Sequence, residues 1–436
     1  MAKSDVKKFE IGIIGLGRQG RVLARAFDQQ RFSVIVFDRS KENVGHLKNE
    51  APTSAIQIAD DLAQFVRLLR QLRTVIVTMP TATADWTMGL LMHLEPGDLL
   101  IDAGKCNFID GDRRADFLAE RNVRYLGLGL VDGEEPGCCG SVLMSSGRPE
   151  IHESVRHLLE SVAAKIDGRP CVAYLGRASA GHFVRIVHDG IEHGLRKLVL
   201  ETREMMKRAT LFQDLPKGTV SAQLEAVGGS FLEFTGHVFC DRLPATESAE
   251  QDDCAHWTSQ AARELDVATP TIDAAAGVRR LSSLEMENEF STTLHRQPNG
   301  IFRNDVESIL EELRGALQAS VMITYAQGLA VLAAGSERYG YNFDLAEIAR
   351  LWKGRCRLRT SLLNDIETAL RETPQLPNLL FDEDLSEKVM FQQERLRQAA
   401  WRASKWQADI PTTMASLDYL DCHRGAWLPM NLIQVR

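Results

Sequence analysis

The sequence predicts a parallel-sheet α/β domain followed by a large all-α domain. Two observations predict it. From residue 9 to about residue 175, short β-rich apolar runs alternate with stretches of helical periodicity, the pattern of a parallel sheet with crossover helices. From Ser179 onward, nearly everything carries helical periodicity. The expected division is residues 1–178 and residues 179–436, and a chain of 436 residues is long enough to give each a substantial core.

The β-rich runs are EIGIIG, SVIVFD, TVIVTMP, DLLIDAG, VRYLGLGL, SVLMSSG and CVAYLG. The first leads into Gly15, Gly17 and Gly20 in G-x-G-x-x-G spacing. Strand, glycine turn, helix and second strand in that order are what a dinucleotide site needs. Gly15 permits the tight turn, Gly17 lets the backbone approach a pyrophosphate, and Gly20 lets the helix pack close to the sheet. The pyrophosphate is expected on the first helical turn, where free N–H groups point outward. The first domain is therefore expected to be of Rossmann type. Ligands of such sheets lie beyond the strand C-termini, which here carry Asp38, Met79, Lys105 and the Val131-Asp132-Gly133 turn. The expected cofactor set is Gly15, Gly17, Arg18, Gln19, Gly20, Asp38, Arg39, Met79 and Lys105.

Asp38 lies 23 residues past Gly15. A carboxylate there accepts hydrogen bonds from ribose hydroxyls and repels a 2′-phosphate, which favours NAD. Arg39 pulls the other way, because a guanidinium can hold that phosphate and admit NADP.

The formal net charge is −8, and no basic block stands out as a nucleic-acid stripe. No run approaches twenty apolar residues, and no apolar signal segment precedes the first strand, so a cytoplasmic chain without a membrane span is expected. The eight cysteines include no C-x-x-C pair and are expected as thiols. His237, Cys240, Cys254 and His256 are zinc-compatible types, but the segment between them has no glycine knuckle, and no metal is expected.

Residues 181–212 are expected as one long helix, uninterrupted by proline. His182, Arg185, Asp189, Glu192 and His193 recur at helical steps and share a face, as if bordering a wet cleft. Gly190 and Gly194 weaken that helix and are expected to admit a close neighbour. A second helical block runs from about residue 307 to 405, with breaks at Gly335, Gly340, Gly354, Pro374 and Pro377. The apolar residues 320–334 suggest a homodimer or a helix buried within one subunit.

Several long motifs then carry a family resemblance. They are GLGRQG, the IDAG turn before Phe108 and Arg113-Arg114, GEE at 133–135, GHFVRIVHDGIEHG, the His256-Trp257-Thr258 triplet, YAQG at 325–328, residues 348–359 and LPMNLIQ near the end. The chain resembles the 6-phosphogluconate dehydrogenases, in the wider β-hydroxyacid dehydrogenase superfamily, over essentially its whole length. The resemblance implies oxidation of a β-hydroxy acid by hydride transfer to NADP or NAD, then loss of carbon dioxide. In that family a lysine on the long helix acts as base and a glutamate protonates the enediol. Glu192 matches the glutamate, but Arg185 stands in the lysine's place. A guanidinium does not give up its proton near neutrality, though it can bind a carboxylate bidentately.

Other positions depart as well. Asp189 replaces an asparagine and His193 a tyrosine. Lys105 replaces the substrate-binding asparagine of the IDGGNS turn. Val131 and Asp132 replace the first two residues of an SGG turn whose last glycine is Gly133, and His256 replaces the lysine of a KWT triplet that keeps Thr258. Arg279 matches an arginine that helps hold phosphate, while the family's C-terminal arginine and histidine have no counterpart before the sequence ends at Arg436. The implied catalytic set is Lys105, Arg185, Asp189 and Glu192. The implied substrate set is Asp132, Gly133, His188, His193, His256, Thr258 and Arg279. These departures lead to the expectation of an oxidoreductase repurposed for a small polar hydroxy or keto acid without a terminal phosphate. A cofactor-binding pseudoenzyme and an authentic decarboxylating 6-phosphogluconate dehydrogenase are the alternatives.

Overall fold

The computed structural model describes residues 8–51, 54–79, 93–132, 140–211, 254–282, 306–354 and 360–424. The chain forms two units. One comprises Met1–Ile186 with Tyr339–Cys356, the other Val187–Arg338 with Arg357–Arg436.

The first unit is built on strands β1 (Phe9–Ile14), β2 (Val34–Phe37), β3 (Gln57–Ile58), β4 (Leu69–Val77), β5 (Leu99–Asp102), β6 (Arg124–Asp132), β7 (Ser141–Gly147) and β10 (Val172–Tyr174). They form one sheet in the order β10-β7-β6-β5-β4-β1-β2-β3. All seven expected runs are strands. The two-residue β3 was not anticipated, nor was a separate ribbon of β8 (Lys165–Ile166) and β9 (Arg169–Pro170).

Within the eight-stranded sheet pairing is parallel except between β6 and β7, which run antiparallel, as do β8 and β9 in their ribbon. The eight residues 133–140 that join them are too few for a crossover, which takes a dozen or more. β1, β2 and β5 are almost wholly buried because helices cover both faces. Those helices are α1 (Arg18–Gln29), α2 (Lys41–Glu50), α3 (Leu62–Leu68), α4 (Phe108–Ala119) and α5 (Pro149–Val162). One core layer joins Ile11, Ile13, Leu23, Phe27 and Val36, and the other joins Ile14, Phe65, Val75, Leu118 and Tyr125.

Helix α6 (Ala180–Leu211) starts in this unit and ends within one residue of the expected position. Its first turn lies flush on the β6–β7 hairpin. A Cβ on Gly181 would sit 2.0 Å from the Met144 carbonyl oxygen, and one on Gly129 would sit 2.2 Å from the Gly181 carbonyl oxygen. Phe183 anchors the same turn among Phe108, Tyr339, Tyr341 and Phe343. Arg177 ties the returning segment down, donating from Nη2 to the Tyr339 carbonyl at 2.8 Å.

The second unit is helical. The remainder of α6 packs with α7 (Cys254–Glu264), α8 (Pro270–Ser282) and α9 (Val306–Tyr339). After α10 (Leu345–Trp352), which belongs to the first unit, come α11 (Leu362–Glu372), α12 (Glu383–Trp406) and α13 (Pro411–Arg424). The expected close neighbours of the α6 glycines are present. A Cβ on Gly190 would meet the Thr258 side chain at 2.5 Å, and one on Gly194 would meet Thr324 at 2.9 Å. Helix α9 is apolar and long enough to cross a bilayer, but 83 % of its most apolar window is buried in the protein. It is a core helix, so residues 320–334 need no second copy of the chain to cover them.

Glu201 locks α6 to α13. Its carboxylate accepts the Thr412 and Thr413 N–H groups at 3.0 and 2.9 Å and the Thr413 hydroxyl at 2.8 Å. It thus fills the N-terminus of α13 with negative charge. Burial pushes this carboxyl above its ordinary range, against those hydrogen bonds. Glu201→Ala orphans the buried donors and is expected to destabilise the protein by about 2–3 kcal/mol, read as a lower midpoint in denaturant unfolding.

Candidate functional site

The glycine turn after β1 has the shape the sequence implied. Gly15 has φ +93°, which favours glycine, and a Cβ there would lie 2.6 Å from Met79 Cγ. A Cβ on Gly20 would lie 1.8 Å from the Gly15 carbonyl oxygen, so only glycine lets α1 start this close to the strand. Gly17 is the N-cap of α1 and supplies no side chain to the first-turn N–H groups. A Cβ there would meet nothing within 4 Å. The turn thus sets the N-terminus of α1 beside open space, which fits a dinucleotide pyrophosphate. The Thr78 hydroxyl donates to the Gly15 carbonyl at 2.8 Å and holds the turn, a role the sequence reading missed.

Asp38 stands at the end of β2. It accepts the Leu16 N–H at 2.5 Å, the Ser40 N–H at 2.7 Å and Asn43 Nδ2 at 3.1 Å. A carboxylate offers about four acceptor positions, so room remains for a ribose hydroxyl. Arg39, next to Asp38 in sequence, and Arg18, at the start of α1, are exposed, while Gln19 reaches from α1 to the Leu130 carbonyl at 3.3 Å. Met79 is half-buried after β4.

The substrate-side candidates divide between the two units. In the first, Lys105 is half-buried in the turn after β5 and Arg185 is half-buried on α6. A Cβ on Gly129 would lie 3.1 Å from Arg185 Cβ, so the arginine starts directly over the sheet. Asp132 ends β6, paired with Ser141. Its side chain and all of Gly133 lie outside the described residues.

In the second unit, His188 and Asp189 are buried, with Nδ1 and Oδ1 3.2 Å apart. Glu192 pairs with Arg196 at 3.3 Å. His193 Nε2 lies 3.2 Å from the Ala275 carbonyl oxygen of α8. His256 is half-buried and Thr258 buried on α7. Arg279 is on α8, with its side chain outside the described residues. So are His237, Cys240 and the Cys254 side chain, and the zinc question falls with them.

The expectation of a wet polar stripe on α6 needs correction. His182, His188 and Asp189 are 1 %, 0 % and 8 % exposed, and only Arg185, Glu192 and His193 stay partly accessible. Helical spacing placed the residues together but carried no information on which neighbours would cover them.

Residues 10–176 match the NAD binding domain of 6-phosphogluconate dehydrogenase, and residues 181–436 match the 6-phosphogluconate dehydrogenase C-terminal domain. The chain belongs to the 6-phosphogluconate dehydrogenase family. It is 33 % identical to the decarboxylating 6-phosphogluconate dehydrogenase of Synechocystis, over 98 % of this chain and 93 % of that one. It is also 33 % identical to the NADP(+)-dependent, decarboxylating enzyme of Bacillus subtilis, over 99 % and 95 %. The 6-phosphogluconate dehydrogenase structure from Plasmodium falciparum superposes with a TM-score of 0.84 at 26 % identity, covering 98 % of this chain and 95 % of that one.

The chain is an NAD(P)-dependent oxidoreductase. The expectation of a repurposed enzyme for a substrate without a terminal phosphate is overturned. These near-full-length matches are to 6-phosphogluconate dehydrogenases, and the authentic-enzyme alternative is the better supported reading. Identity spread along 98–99 % of the chain outweighs single substitutions at the site.

Because a Cβ cannot fit beside the Gly15 carbonyl, Gly20→Ala is expected to weaken NAD(H) binding by at least about ten-fold, measured by cofactor fluorescence titration on protein with native circular dichroism.

Proposed function

We propose that the chain oxidises and decarboxylates 6-phosphogluconate. The observation that carries this reading is the match along 98 % of the chain to 6-phosphogluconate dehydrogenases, one of them solved with NADP+ and with 6-phosphogluconate. When bound, a nicotinamide supplies the hydride acceptor. The rest falls to side chains arranged differently from the family pattern. Arg185 holds the substrate carboxylate as a bidentate donor. Lys105 takes the hydroxyl proton as hydride leaves the carbon that bears it. An amine can act so once desolvated, whereas a guanidinium cannot. The β-keto acid then loses its carboxylate as carbon dioxide, and the bond's electron pair passes into the double bond of an enediol as protonated Lys105 returns its proton to the carbonyl oxygen. Glu192 delivers a proton to the enediol carbon while Lys105 takes the hydroxyl proton back, which leaves a ketose phosphate. Among the described residues, His256 and His193 are the accessible members of the implied substrate set, and Arg279 contributes to the phosphate grip. The negative charge of Asp38 favours NAD over NADP. A homodimer is part of this reading, supported by family membership and not by residues 320–334.

A steady-state assay with 6-phosphogluconate, following cofactor reduction and carbon dioxide release, is expected to give turnover of about 1–1000 s⁻¹. Absence of both signals with either cofactor would overturn the function. Lys105→Met is expected to lower kcat by about 10²- to 10⁴-fold. Activity retained in that variant would transfer the base role to Asp189. Asp38→Asn is expected to shift the NADP-to-NAD ratio of kcat/KM toward NADP by about ten-fold or more, while wild-type preference for NADP would assign the 2′-phosphate to Arg39.

A further inference from the structure

Asp102, Tyr125 and His182, buried, and Arg114, half-buried, meet in the first unit and take no part in the steps above. Asp102 ends β5, three residues before Lys105. Arg114 Nη1 donates to its Oδ2 at 2.7 Å, and the Tyr125 hydroxyl donates to the same oxygen at 3.2 Å. Its Oδ1 accepts the Gly104 N–H at 3.1 Å and so shapes the turn that presents Lys105. The same Oδ1 faces His182 Nε2 at 3.9 Å. His182 sits three residues before Arg185 on α6, is 1 % exposed, and makes no hydrogen bond through either ring nitrogen. A buried imidazole in that condition costs stability, so its use here calls for a reason.

One candidate reason is a metal. Ligand-type atoms of Asp102, Cys106 and His182 all lie within 4.8 Å of one another, and these are types that zinc accepts. The surroundings argue against it. Arg114 already balances the Asp102 charge. Burial pushes the Cys106 thiol well above its ordinary range, away from the thiolate a metal needs. Burial also pushes the His182 imidazole below its ordinary range, so its approach to Asp102 is that of an uncharged ring.

The placement suits a different role. The start of α6 is pinned against the β6–β7 hairpin at Gly181 and Gly129, where side chains have no room. What remains to be set is where the turn after β5 stands relative to that helix. Asp102 grips the turn through Gly104, and the His182 ring fills the space between Asp102 and α6. We propose that Asp102 and His182 are positioning residues, a brace from the Lys105 turn to the first turns of α6 that fixes the separation of Lys105 from Arg185. The proposal rests on the reading of those two as substrate groups. Both brace residues are buried away from solvent. A misplacement of about 1 Å costs on the order of 100-fold in rate.

The test uses the full chain with His182→Ala, His182→Asn and Asp102→Asn, singly and as the Asp102→Asn/His182→Ala pair. The first readout is amide hydrogen exchange, which needs no turnover. His182→Ala is expected to speed exchange across residues 103–107 by at least about five-fold, although the substitution lies on α6. Asp102→Asn is expected to do the same across residues 180–186, and the pair is expected to be non-additive. The second readout is kcat per cofactor-binding site, expected to fall by about 10- to 100-fold at unchanged cofactor Kd. Where His182→Ala fails to fold, His182→Asn and Asp102→Asn carry both readouts.

Exchange changes confined to the element that carries the substitution would overturn the brace. So would losses of kcat that track lost binding sites one for one, or stoichiometric zinc released by His182→Ala. A wild-type chain without turnover overturns the function reading instead, and the exchange data alone then decide the brace.

Discussion

The close seating of α6 on the β6–β7 hairpin is the constraint on which the rest of the first unit depends. Carbonyl oxygens of Met144 and Gly181 stand where a Cβ would otherwise go, so the helix can sit in only one register. Phe183 drops into the aromatic cluster with Phe108, Tyr339 and Tyr341. His182 faces Asp102, and Arg185 starts directly over Gly129. One residue of slip would rotate each of these side chains by about 100°. The antiparallel turn back of β7 produces this seat, because it brings the Met144 carbonyl beneath the first turn of α6.

Much of this order is legible in the sequence, for a physical reason. Strands buried on both faces read as unbroken apolar runs, and SVIVFD or DLLIDAG has no competing explanation. A glycine turn needing positive φ and bare backbone must be spelled with glycine, so Gly15 and Gly20 announced themselves. The two-residue strands β3, β8 and β9 were not legible, because two residues carry no period. The direction of β7 was legible only in the shortness of its connection, which the alternation pattern alone does not weigh.

The candidate site was legible as a set of residues and illegible as an environment. Three- and four-residue steps on α6 correctly put His182, Arg185, Asp189 and Glu192 on one helix face. They said nothing of Asp102, which comes from a strand end 80 residues earlier in the chain and buries His182. Burial depends on what packs over a face, and that is a long-range property. Gly190 is the instructive intermediate. Its cost to the helix signalled a close neighbour, and Thr258 is that neighbour, but the signal did not identify which helix would bring it.

On the proposed reading, the departures at Lys105 and Arg185 are better understood as a pair than as two losses. The family pattern puts the titratable amine on the long helix and an uncharged amide on the turn after β5. Here the amine is on the turn and the helix carries a group that stays charged. On that reading the group able to exchange a proton would move from the helix to the turn, and the helix would gain a permanently positive group able to hold a carboxylate. Such an exchange works only if the turn is held as firmly as the helix, since a flexible lysine gains little from proximity. Asp102 meets that requirement, binding Gly104 on one oxygen and Arg114 and Tyr125 on the other. The same buried carboxylate that shapes the turn thereby limits where Lys105 can begin.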